Sequence, residues 1–142
     1  MSERSDIAGK LNQEVSKLSL SSEGSHFGIQ EYRFQRLVLE VSVCIQCLAM
    51  NRSFFFWVGT AAGSFENLDL AMAVSGESLP ISSVLLGSSS DTIGAALSQR
   101  LAMKLGAQVY VSYNLPSSHA SLLEETERLI FKEVVPSILN PS

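Results

Sequence analysis

The sequence predicts a single α+β domain: a mainly antiparallel sheet of about six strands packed with amphipathic helices. Three observations point there. Apolar residues alternate with polar ones in several short segments separated by turn residues. Two longer segments, around residues 92–105 and 121–135, carry apolar residues at helical spacing. The 142 residues, 46% of them hydrophobic, suffice for one buried core.

Residues 1–25 are rich in Ser, Glu and Lys and poor in apolar residues, which predicts a flexible tail ahead of a folded domain over 26–142. Ile7, Leu11, Val15 and Leu18 recur at helical spacing, so a short helix that orders on the domain or on a partner stays open. Leu37, Leu39, Val41, Val43, Ile45, Cys47 and Ala49 then occupy every second position, opposite Glu40, Ser42, Cys44 and Gln46. That spacing predicts one strand with a buried face. Met50-Asn51-Arg52 reads as a turn, and residues 53–58 (SFFFWV) as the second arm of a hairpin. In this arm Phe54, Phe56 and Val58 share one face and Phe55 and Trp57 the other, so both faces need cover.

Leu68, Leu70, Met72 and Val74 alternate with Asp69, Ala71, Ala73 and Ser75 as a further half-buried strand, and residues 81–86 form another. Ser90 or Asp91 suits the N-cap of a helix whose stripe is Ile93, Leu97, Leu101 and Leu105, with Ser98 and Lys104 facing away. Gly106 is placed to stop it. Val109, Val111 and Tyr113 alternate with polar neighbours as a returning strand that Pro116 ends. Ser121 and Glu124 have capping-box spacing for a last amphipathic helix, which Pro136 is expected to terminate.

A net charge of −4 with scattered basic residues argues against a nucleic-acid surface, which needs a clustered basic face. The longest apolar run, residues 37–49, is interrupted by Glu40, Ser42 and Gln46 and is too short to span a bilayer. No basic and apolar leader opens the sequence, so a cytosolic or nuclear protein with reduced Cys44 and Cys47 is expected. The sequon Asn51-Arg52-Ser53 is then a chance match.

Chemistry must be weighed against packing at three places. The turn over residues 87–92 (GSSSDT) opens a helix whose amides could hold an anion, yet it lacks the second glycine and lysine of a phosphate loop. A plain capped junction is the competing reading. Cys44 and Cys47 match a C-x-x-C spacing, but on a strand they point to opposite faces, which favours Cys47 as a small core residue. His26 and His119 have no neighbouring nucleophile motif, and Glu66, Asp69, Glu77 and Asp91 lack metal-loop spacing. No catalytic residue, cofactor or metal site is predicted. The remaining signal is Phe54, Phe55, Phe56 and Trp57, a candidate partner interface with core packing as the alternative for each face.

Taken in register, Phe54-Phe55-Phe56-Trp57-Val58-Gly59, Asn67-Leu68-Asp69-Leu70-Ala71-Met72-Ala73, Leu79-Pro80-Ile81-Ser82-Ser83-Val84-Leu85-Leu86-Gly87, Ser90-Asp91-Thr92, Ser98-Gln99-Arg100-Leu101-Ala102 and Val109-Tyr110-Val111-Ser112-Tyr113-Asn114-Leu115 resemble the proteasome assembly chaperone 4 family. The resemblance covers most of residues 37–115. It departs at Ser88, where an acidic residue is expected, and in the first 25 residues. The resemblance implies a non-catalytic chaperone, without cofactor, that pairs with proteasome assembly chaperone 3 as a heterodimer. It further implies a role in building the α-subunit ring of the 20S proteasome, with self-association open when the partner is missing. The rival expectation is a dimerising scaffold domain of the roadblock or longin kind.

Overall fold

The computed structural model describes residues 28–88, 92–116 and 120–140. The tail expected over residues 1–25, and the histidines His26 and His119, lie outside the described residues. Six strands form one sheet: β1 (Gln30–Val38), β2 (Val41–Met50), β3 (Ser53–Gly59), β4 (Leu68–Met72), β5 (Ile81–Leu86) and β6 (Gln108–Tyr113). Their spatial order is β1-β2-β3-β6-β4-β5. Helix α1 (Ile93–Leu105) crosses from β5 to β6, and α2 (Ala120–Leu129) follows β6. The pairing of β3 with β6 is parallel and the other pairings are antiparallel, so the sheet is mixed.

The single strand expected over residues 37–49 is in fact the end of one strand and the whole of the next. Val38 pairs with Val41, and the chain reverses through Leu39 (φ 48) and Glu40 (φ 69). A two-residue turn with both φ positive matches the twist of a hairpin, but it normally announces itself with Asn or Gly. Here a leucine and a glutamate occupy it, and the alternation runs through unbroken. Only the part beyond the turn has the expected buried face: Val43, Ile45 and Cys47 are buried, whereas Leu37 and Leu39 are exposed.

The core lies on one side of the sheet. Val43, Ile45 and Cys47 of β2, Phe56 and Val58 of β3, Val109, Val111 and Tyr113 of β6 and Ala71 of β4 meet Leu97 and Leu101 of α1 and Leu122 of α2. The half-buried strand expected from the leucine alternation forms at β4, with Asp69 and Ala71 as its buried residues while Leu68 and Leu70 turn to the other face. Asp69 fits because Gly94 has no side chain. A Cβ there would collide with the Asp69 carboxylate.

Helix α1 begins at Ile93, and the flanking Thr92 makes no side-chain cap bond to it. Ser90 and Asp91, the expected caps, lie outside the described residues. Ser98 does not face away but is fully buried, its hydroxyl donating to the Ala95 carbonyl at 2.7 Å. That bond within the helix removes the cost of burying it. Gly106 ends α1 as expected, at φ 62.

The last helical segment starts at Ala120, so Ser121 lies inside it and the expected capping box does not form. Pro136 does not terminate it either. Residues Ile130–Val134 widen into a π-turn, with the Val135 N–H donating to the Ile130 carbonyl, and α3 (Val135–Leu139) continues beyond. The shifted register puts Pro136 in the first turn of α3, where its missing N–H leaves no bond unmade. Ion pairs from Arg100 to Glu127 and from Arg36 to Glu133 tie this segment to α1 and β1.

Candidate functional site

Strand β3 splits the aromatic run between the two faces of the sheet. Phe56 is fully buried against the helices, and Phe54 packs at the margin of the same core. Phe55 and Trp57 are half-buried on the opposite face. The four candidate residues therefore do not form one surface. Two belong to the core side, and two to a face that no helix covers among the described residues.

That second face carries a continuous apolar row. Leu48 of β2 stands opposite Phe55 of β3, Phe55 beside Tyr110 of β6, and Tyr110 opposite Leu70 of β4. All four are half-buried. The row ends in polar residues, Glu31 of β1 beyond Leu48 and Ser83 of β5 beyond Leu70. Glu31 accepts from Gln46 Nε2 at 2.9 Å and from Arg33 Nε, so the β1 end is a small polar network.

A loop over residues 60–65 folds onto the row. Trp57 Nε1 donates to the Ser64 carbonyl at 2.9 Å, and the Phe65 ring stacks on Phe55 with centroids 6.1 Å apart and planes 7° from parallel. The Trp57 ring lies against Gly59, where a Cβ would come within 2.7 Å of the indole. Between loop and strands lies a groove of about 780 Å³ lined by Cys44, Gln46, Leu48, Phe55, Trp57 and Phe65 among others. Phe65 remains 47% exposed.

The sequence reading missed Leu48, Leu70 and Tyr110 as members of this row. The signal was present but faint, since Leu48 and Tyr110 interrupt the polar phase of otherwise alternating strands. What makes them neighbours is the crossover that inserts β6 between β3 and β4, which no local pattern records.

The two cysteines do face apart. Cys47 is buried, and burial pushes its thiol up to about 12, while Cys44 is partly exposed on the uncovered face. The Gly87 turn packs close to the start of β4: at φ 107, a Cβ there would meet Asn67 Cβ at 3.0 Å and the Glu66 carbonyl at 3.2 Å. Residues 89–91 of the proposed anion loop lie outside the described residues. Among the described residues no group of His, Cys, Asp and Glu is placed to hold a metal. None of their helices is long and apolar enough to cross a membrane.

The fold and the face together define an α+β protein whose mixed six-stranded sheet has, among the described residues, helices on one side and an apolar surface without helices on the other. A family model described as proteasome assembly chaperone 4 matches residues 42–115. The human protein named proteasome assembly chaperone 4 is 37% identical over 103 residues, covering 72% of this chain and 83% of that protein. Its mouse counterpart is 34% identical over the same coverage. The chain belongs to the proteasome assembly chaperone 4 family. A solved structure described as a chaperone complex for yeast 20S proteasome assembly shares the fold, with a TM-score of 0.55 at 15% identity over 77% of this chain and 95% of that one.

Proposed function

We propose that this protein is a non-catalytic chaperone of 20S proteasome assembly. It pairs with proteasome assembly chaperone 3 through the helix-free face and promotes formation of the α-subunit ring. The observation that carries the pairing is the row Leu48, Phe55, Tyr110 and Leu70, an apolar stripe across four strands. A sheet face of this kind is completed by a second layer, packed about 10 Å away. Aromatic residues at the centre of such a stripe are the usual anchors of an interface, and the polar ends at Glu31 and Ser83 would form its rim. Phe55 and Trp57 are the interface members of the aromatic run, while Phe54 and Phe56 support them from the core side.

Family membership supports the chaperone reading, and so do the names of the human and mouse relatives. No bond is made or broken in such a role, and no cofactor enters it. The chaperone has to be displaced as the ring matures, so its hold on a ring subunit is moderate. The same reading locates the chain in the cytosol, with access to the nucleus.

The test is affinity purification of the native chain and of a Leu48→Glu variant. The native chain should bring down proteasome assembly chaperone 3 and α-ring precursors. The variant should stay folded and lose the partner. Recovery of membrane-tethered GTPase regulators without proteasome subunits would replace this reading with the dimerising scaffold.

A further inference from the structure

The two edges of the sheet are built differently. The β1 edge carries Glu31, Arg33 and Arg36, charges that discourage another strand from adding on. The β5 edge carries none. From Ser78 to Ser90 the chain has no charged residue, and Leu79, Ile81, Val84, Leu85 and Leu86 are 60%, 44%, 39%, 50% and 48% exposed. In β5, Val84 and its neighbours point to both sides of the sheet, since Val84 stands opposite buried Asp69 while Ser83 stands opposite Leu70. A partner stacked on the helix-free face could cover only one of those sides. The outward backbone groups of β5 lie in the plane of the sheet, and among the described residues no strand pairs with them, so a further strand could take the place of water there.

We propose that β5 is a second interaction surface, which takes the β5 edge of a second copy of this chain in an antiparallel two-fold pairing. An isologous contact sets each residue against its own neighbourhood, so any charge on the strand would face its like. The uncharged stretch of residues 78–90 meets that condition, and the charged β1 edge does not. Pairing β5 with β5 leaves two β1 edges at the outer ends, so association closes at two copies and does not propagate. The register shift between Leu68 and Asp69 sets an extra residue, Leu85, into β5. This bulge confines regular pairing to the first four residues of the strand, which makes the contact weak and reversible. The inference is independent of the pairing proposed for the helix-free face.

Sedimentation equilibrium of the purified full chain, taken to about 100 μM, tests it. The expected result is a monomer–dimer equilibrium that Ile81→Lys and Ser83→Lys each weaken by about tenfold or more, with Leu48→Glu leaving it unchanged. Circular dichroism checks that each variant is folded, and two lysine positions are used so that one misfolded variant does not decide the matter. A native chain that stays monomeric over this range overturns the proposal. So does a dimer that ignores folded lysine variants, or one that Leu48→Glu disrupts, since that dimer uses the helix-free face.

Discussion

The side-chain amide of Asn67 and the backbone N–H and C=O of Tyr113 bond to each other in both directions. Asn67 Nδ2 donates to the Tyr113 carbonyl at 2.5 Å, and the Tyr113 N–H donates to Asn67 Oδ1 at 2.8 Å. One side chain thus acts as an extra rung of the sheet just before β4 begins, where β4 has no backbone yet to offer β6. Asn67→Ala removes both bonds from a part-buried site and should cost about 1–3 kcal/mol in urea unfolding. Asn67→Asp keeps an acceptor but sets a carboxylate against a carbonyl, so it should recover little of the loss. An alanine variant as stable as the native chain would mean that water replaces the amide.

Two residues on, Asp69 depends on Gly94. Alanine in place of glycine inside a helix ordinarily gains up to about 1 kcal/mol. At Gly94 the new methyl would collide with a carboxylate that is only 3% exposed and cannot swing away. Gly94→Ala should therefore destabilise, by about 1–3 kcal/mol. The double variant Gly94→Ala with Asp69→Ala should show strong non-additivity, because the second change removes the obstacle. Additive losses would place the cause elsewhere in α1.

Those two contacts show what the sequence could and could not reveal. Most strands and α1 were legible because each carries its own period: Val109, Val111 and Tyr113 on β6, or Leu97 and Leu101 on α1. Which face of β4 is buried was not legible. A leucine row looks like the core side, but Gly94 makes room for Asp69, and Leu68 and Leu70 are left to the uncovered face. The turn at Leu39 and Glu40 was hidden because neither residue is a usual turn former and the alternation continues through it. Pro136 misled for a related reason, since the π-turn before it resets the hydrogen-bond register. For the candidate site, the split of Phe54 and Phe56 from Phe55 and Trp57 follows from strand parity alone. The row that completes it needed the three-dimensional strand order.

Cys47 links burial to pH. Its thiol titrates at about 12 because burial disfavours the thiolate, and the same burial, with Cys47 alongside, raises Tyr32. In the unfolded chain the thiol returns to its ordinary value of 9.0. The stability this group contributes is therefore fully present below pH 9 and is lost as the pH rises toward 12, because only the unfolded chain releases the proton in that window. Cys47→Ala should flatten the alkaline limb of a stability–pH curve, besides its packing cost. A maleimide reagent at neutral pH should label Cys44 on the native chain and reach Cys47 only after unfolding. Equal labelling rates would contradict the burial of Cys47.

Neighbouring aromatics on β3 should separate folding from pairing. Phe56 is fully buried, so Phe56→Ala should cost about 3–5 kcal/mol and leave little folded chain to bind anything. Trp57 is half-buried, anchored by one bond to Ser64 and by its contact with Gly59. Trp57→Ala should cost less, about 1–2 kcal/mol of apolar burial, and the chain should remain folded. If the helix-free face is the pairing surface, the same change should weaken binding of proteasome assembly chaperone 3 by about thirtyfold or more, the scale of an interface hot spot. Trp57 is the only tryptophan in the chain, so its emission reports on this face directly. It should shift to the blue when the partner is added, and Gly59→Ala, which displaces the ring, should change the emission of the free chain. A Trp57→Ala variant that is folded and pairs at native strength would remove this face from the interface.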